Sequence, residues 1–358
     1  MLRRICVLIL LVSLFIPFSL DAKSARKKNN DISLEDLDEF ANSLVEEVSN
    51  ERRRLYRIFE WVSKNISYDC DFVETEGFLS KNDMLRDVLK TRKGICLQYS
   101  ELIKALCDVV GIKTHVILGY IRDQEGAIQI LTHAWNGVVV DSRYYILDAT
   151  LAAGYLDNGG FVKQFDPSFF LMNPHDAIEK YMPFDPVWQF LDHPLYHADF
   201  ILCNYHSREK SDPVFHFKDS ILELEELSMH RALEISANRI TRYGILNENT
   251  RDHISKCRFR ISKLKYAEAS AISGKATRLF QGYNKYIKDK NVDIKKEDAL
   301  ALMNRIIKSL DKSIRLLRQV KTKDKLLLSL VSKVKVEAKK IRREVKDQKI
   351  EIQKKSAG

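Results

Sequence analysis

The chain has 358 residues, a net charge of +10, 45% apolar residues and 30% charged residues. That length holds two domains of ordinary size; the apolar share supports a packed core, and the charged share argues for a soluble protein. The charge is uneven: residues 1–205 hold 22 basic and 29 acidic side chains, and residues 206–358 hold 37 and 20, so the two halves face different partners or each other.

Residues 1–22 read as a signal peptide. Arg3 and Arg4 give a basic start, Ile5 to Ile16 form an apolar run, Pro17 and Ser19 end it, and Ala22 offers a small residue for cleavage. The run is short for a membrane span, and no other segment is apolar enough for one. An extracytoplasmic protein, periplasmic or secreted, is therefore expected, in a compartment where disulfides form. Beyond Cys6 the cysteines are Cys70, Cys96, Cys107, Cys203 and Cys257, and this odd number suits one free reactive thiol and up to two bridges. Cys107 lies on an apolar helix and reads as core.

Residues 23–50 form a polar linker and an N-terminal helix, which Ser33 and Asp36 can cap and which Leu37, Phe40, Ala41 and Leu44 space helically. Leu55, Ile58, Phe59 and Val62 predict a second helix, and Asp83 starts a short third. Ile95 to Val110 reads as a helix stopped by Gly111. Thr114–Tyr120, Leu131–Val140 and Arg143–Asp148 read as strands, the last two joined by a tight turn at Asp141-Ser142. The fold class is α+β, a helix packed on an antiparallel sheet, over residues 51–205. Within that span, residues 151–205 are an irregular extension rich in proline and aromatics. Residues 206–358 form a basic, all-α domain. Its stripes Leu300–Leu317 and Leu327–Ile352 suggest an antiparallel helical hairpin or a coiled-coil-like pair.

Three residues carry chemistry in chain order. Cys96 sits at a helix start, where unpaired N–H groups and the helix dipole favour a thiolate. His133, in an apolar strand, can take the thiol proton and later protonate a leaving amine. Asp148 closes the next strand and can fix the histidine's tautomer and orientation. With Asp141 and Ser142 as the loop, paired residue numbers sum to 283. His133 then lies opposite position 150, a diagonal neighbour of Asp148 on the same face.

Lys93-Gly94-Ile95-Cys96 with Tyr99, Gly111-Ile112-Lys113, Gly119-Tyr120, His133-Ala134-Trp135-Asn136 and Leu147-Asp148-Ala149-Thr150 together resemble the transglutaminase-like superfamily over roughly residues 50–155. Phe184-Asp185-Pro186-Val187-Trp188-Gln189 resembles its kyphoscoliosis-peptidase-like branch. The resemblance implies a papain-like core and a catalytic triad of Cys96, His133 and Asp148. Many members follow the aspartate with Pro-Thr-Trp, where this chain has Ala149-Thr150-Leu151. Tyr99 and Trp135 are candidates for substrate contacts, with core packing as the plain alternative.

The expected substrate is a protein or peptide amide, and no cofactor is called for. His193, His197, Cys203 and His206 form a second cluster, but Pro194 interrupts it and no carboxylate joins it, so no metal is expected. The basic helices can meet an anionic surface or pack on each other, on the catalytic domain, or on another copy of the chain. They lack the interleaved aromatics that would favour nucleic acid. The alternative function is a non-catalytic binding or scaffolding protein built on the same fold.

Overall fold

The computed structural model describes residues 33–72, 80–123, 125–129, 131–205, 213–245, 247–290 and 294–354. The signal-peptide reading of residues 1–22 and His206 of the second histidine cluster lie outside the described residues.

In chain order the elements are α1 (Leu37–Val45), α2 (Glu51–Asn65), β1 (Ser67–Tyr68), α3 (Lys81–Thr91), β2 (Lys93–Gly94) and α4 (Cys96–Val109). Next come β3 (Thr114–Ile121), β4 (His133–Val140), β5 (Arg143–Leu147), α5 (Ala149–Ala153), β6 (Gly154–Asp157) and β7 (Gly160–Lys163). Then follow α6 (Pro174–Ala177), β8 (Tyr181–Pro183), α7 (His197–Ile201), α8 (Phe217–Glu226) and α9 (Met229–Tyr243). The chain closes with α10 (Glu248–Lys290), α11 (Lys296–Arg318) and α12 (Lys325–Lys354). They fall into two compact units, Met1–Thr114 with Asp148–Phe170, and His115–Leu147 with Leu171–Gly358.

The first unit is helical. The side chain of Asn50 accepts from the Arg53 N–H and caps α2, and Ser80 caps α3 through the Asp83 N–H. Leu55, Ile58, Phe59 and Val62 on one face of α2 are fully buried. The α2 face packs against α1, α4 and α5. A short parallel bridge pairs Ser67 with Lys93 and Tyr68 with Gly94. It lays the segment after α2 beside the segment that enters α4. Gly111 has a φ of 77°, the left-handed conformation that ends α4 without a Cβ penalty.

The second unit holds a four-stranded sheet of order β5-β4-β3-β8. Asp141 and Ser142 both have positive φ, 51° and 62°, the geometry of a two-residue hairpin whose twist matches its strands. The β4–β5 ladder runs from Val140↔Arg143 to Asn136↔Leu147, the register in which numbers sum to 283. Seven of the eight residues of β4 are buried, so both of its faces are covered. The sheet includes a strand from the stretch read as irregular: β8 pairs antiparallel with β3 through Gly119↔Pro183 to Ile121↔Tyr181.

The two C-terminal apolar stripes pack on each other in antiparallel fashion, with Asp311 of α11 bonded to Arg342 of α12 at 2.5 Å. A third helix, the 43-residue α10, joins them: Phe280, Met303, Ile306, Ile341 and Val345 share one core. Among the described residues, no helix is long and apolar enough to cross a membrane.

The disulfide expectation is corrected. Cys70, Cys96, Cys107, Cys203 and Cys257 are all free thiols, two of them exposed and two buried. Cys107 is a core residue with no exposed surface, and burial pushes its thiol up to about 12.

Candidate active site

Cys96 is the first residue of α4 and is half-buried. Ile95, just before it, has extended backbone, and its N–H donates to the Gln98 side-chain oxygen at 3.0 Å. Gln98 in turn donates to Asp87 of α3 at 3.0 Å. The side chain of Gln98 therefore locks the helix start instead of pointing at a substrate. Gly94 permits this close approach: a Cβ there would stand 3.1 Å from both Gln98 Cβ and Val88 Cγ2. The first N–H groups of an α-helix have no partner inside the helix, and its dipole is positive at that end. A sulfur at this position is thus placed where an anion is favoured.

Asp148 belongs to the same unit and has no exposed surface. It is not the last residue of a strand, as the sequence suggests, but the N-cap of α5. Its Oδ1 accepts from the Thr150 and Leu151 N–H groups at 3.0 Å each. Its own N–H donates to the Phe169 carbonyl at 3.1 Å. The two bonds hold Oδ1 against the start of α5, and the third anchors the main chain. Because α5 packs on α2 and α4, the aspartate is seated on the helical layer that starts with Cys96.

Tyr99 lies one turn into α4 and is fully buried. Its hydroxyl donates to the Ile66 carbonyl at 2.6 Å, and Lys163 Nζ donates to the same oxygen. Burial pushes the Tyr99 phenol up and the Lys163 ammonium down to about 8. Tyr99 is thus a structural residue that ties α4 to the end of α2, and it offers no surface to a substrate. The sequence reading passed over Tyr68. It stands beside Gly94 in the β1–β2 bridge, and burial pushes its phenol up to about 12. Its signal in the sequence is its place in the extended stretch after α2.

In the second unit, His133 opens β4 and is 7% exposed. Its ring stacks on Trp135 with centroids 6.0 Å apart, and Tyr181 of β8 lies 6.5 Å away. Trp135 is 1% exposed and meets Tyr181 edge-on at 5.1 Å. It braces the histidine from within the sheet and does not present an open substrate surface. Gly119 on β3 leaves room for it, since a Cβ there would run into Trp135 and the β8 backbone. Of the second histidine cluster, His197 is fully buried and bonds Tyr120 Oη at 2.8 Å through Nδ1. It is a packing residue, and burial pushes it down to about 4.

Comparisons with known proteins find a family likeness over part of the chain. Residues 38–149 match the model of the transglutaminase-like superfamily. Kyphoscoliosis peptidase from Mus musculus and from Homo sapiens is each 27% identical over 204 residues, which is 55% of this chain. The match spans 30% of the length of either curated relative. A solved structure of the periplasmic domain of TgpA from Pseudomonas aeruginosa, bound to ethylmercury, covers 36% of this chain and 49% of its own. Its identity is 17% and its TM-score 0.26. Cys96, His133 and Asp148 all fall inside the segment that matches the transglutaminase-like superfamily, and the chain is similar to the kyphoscoliosis peptidases over part of its length.

Proposed function

We infer that this chain is an exported thiol enzyme that attacks protein or peptide amides through Cys96. The observation that carries this reading is the position of Cys96: a free, half-buried thiol on the first residue of α4. Export is supported by the basic start and apolar run of residues 3–16.

The chemistry has two halves. His133 takes the thiol proton, and Cys96 Sγ adds to the amide carbonyl carbon. The carbon–nitrogen bond breaks, His133 returns its proton to the leaving amine, and a thioester remains. Water then adds to the thioester, gives a proton to His133, and the carboxylic acid leaves as Sγ regains its proton. The Cys96 N–H, at the open end of α4, is the donor for the developing oxyanion. Asp148 orients the imidazole. Hydrolysis is preferred to amine transfer on the likeness to proteins named as peptidases.

An active-site-directed thiol probe followed by peptide mapping tests the reading. The expected result is labelling concentrated on Cys96, and lost in Cys96→Ala. Labelling spread over Cys70 and Cys203, the exposed thiols, would contradict it. A scaffolding role is favoured by a different observation, the exposed Leu326, Leu328, Val336 and Ile350 on α12. It predicts a Cys96→Ala protein with every partner retained.

A further inference from the structure

A short hairpin in the unit that carries Cys96 leaves apolar side chains in solvent. β6 and β7 pair Leu156 with Phe161 and Tyr155 with Val162. Leu156 is 60% exposed and Tyr155 49%. Cross-strand partners share a face, and faces alternate along a strand. Leu156, Phe161 and Lys163 therefore stand on one side of the hairpin.

That side is turned toward β1. The Phe161 and Tyr68 ring centroids are 6.3 Å apart, and Lys163 Nζ donates to the Ile66 carbonyl, which ties the hairpin to the start of β1. Tyr68 in turn stands beside the segment that leads into Cys96. It pairs with Gly94, two residues before Cys96, and the Asp69 N–H donates to the Gly94 carbonyl at 3.0 Å. An apolar strip thus runs from Leu156 through Phe161 to Tyr68, beside the strand that leads into Cys96.

We propose that this strip is the substrate subsite, holding a large apolar or aromatic side chain of an extended polypeptide next to the amide that Cys96 attacks. This rests on the reading of Cys96 as the nucleophile. The thiol's chemistry names the occupant: a nucleophile that attacks an amide needs the chain bearing that amide to lie alongside it. The strip ends at Tyr68, which pairs with Gly94 two residues before Cys96, and the exposed Leu156 side chain gains most from being covered.

The test uses two peptidyl fluoromethyl ketones on the full chain, identical except for Phe or Gly at the residue adjoining the electrophile, with iodoacetamide as a small reference. Labelling of Cys96 is followed by peptide mapping. The Phe probe is expected to label Cys96 about tenfold faster than the Gly probe. In Leu156→Ser, and in Phe161→Ser, the ratio should fall toward one. Iodoacetamide must label Cys96 in each variant at the native rate, so that a lower ratio reports the subsite and not unfolding; a variant whose iodoacetamide rate changes is replaced by the milder Leu156→Ala or Phe161→Leu. A ratio near one in the native chain, or an unchanged ratio in both variants, would overturn the subsite. So would a dimer in sedimentation that Leu156→Ser dissolves, because the strip would then belong to a second copy. Failure of the underlying reading looks different: Cys96 would then react with iodoacetamide no faster than an ordinary thiol.

Discussion

Cys257 and Cys96 occupy opposite settings. Cys257 lies within α10, 7% exposed, with His253 Nε2 3.4 Å from its sulfur. Burial pushes that thiol up to about 11 and the imidazole, stacked on Phe184 at 4.3 Å, down to about 4. At neutral pH burial favours a neutral thiol beside a neutral imidazole. Cys96 has no such screen: it begins a helix and is half-buried. A histidine within bonding distance is therefore not enough by itself to make a thiol reactive. Access and an open helix end are needed as well, and Cys257 lacks both.

The largest expected effect strikes the histidines unequally. His133→Ala should slow acylation of Cys96 by roughly 10²–10⁴-fold, the usual contribution of a general base. His253→Ala should leave that rate as it is, and burst kinetics with an activated ester measures both. If His253→Ala were the damaging change, the comparison would be inverted.

A second prediction concerns the core around Cys257. Asp185 is 3% exposed and bonded to Arg239 at 2.7 Å. Arg239→Ala leaves a buried carboxylate without its cation, and should cost about 3–5 kcal/mol in urea unfolding. The same substitution should not change the selectivity of the thiol probe for Cys96.

The third concerns acid. His197 has a folded-state value of about 4 against a usual 6.5. Between those values the unfolded chain binds a proton that the folded chain refuses, so stability is full above pH 6.5 and falls as pH drops toward 4. The loss is about 3 kcal/mol by pH 4. His197→Asn removes the titrating group, and denaturant midpoints measured across this range should then lose most of that slope.

The smallest effect is local. Tyr99→Phe deletes the hydroxyl that donates to the Ile66 carbonyl at 2.6 Å. Lys163 still bonds that oxygen, so the cost should be about 1 kcal/mol by thermal unfolding, with little change in labelling of Cys96. A large drop in labelling would return Tyr99 to the substrate side.

Parts of this account were legible in the residues. The β4–β5 register followed from a two-residue turn at Asp141-Ser142, because pairing parity leaves little freedom once a hairpin loop is placed. The helix read as Ile95 to Val110 before Gly111 is Cys96–Val109 in the structure, so local backbone preference gave it to within a residue at each end. β8 was hidden: three residues, one of them proline, carry no period, and only pairing with β3 makes them a strand. Asp148 was seen at a strand's end but not as a helix cap, because α5 is too short to show a helical repeat. The cysteine count pointed to bridges that the fold does not bring together, since a count holds no distances. Tyr99 and Trp135 show the same limit, because a helix or strand pattern does not reveal which aromatic faces a substrate and which faces the core.

The central claim is that Cys96 is a nucleophile made reactive by its place on α4 and by His133. Its most direct measurement is the iodoacetamide alkylation rate of Cys96 in the native chain at neutral pH, read by peptide mapping alongside Cys257. The account predicts that Cys96 reacts well ahead of a free model thiol, that His133→Ala removes most of that advantage, and that Cys257 is modified only on unfolding. A Cys96 that reacts no faster than the model thiol, with or without His133, would contradict it.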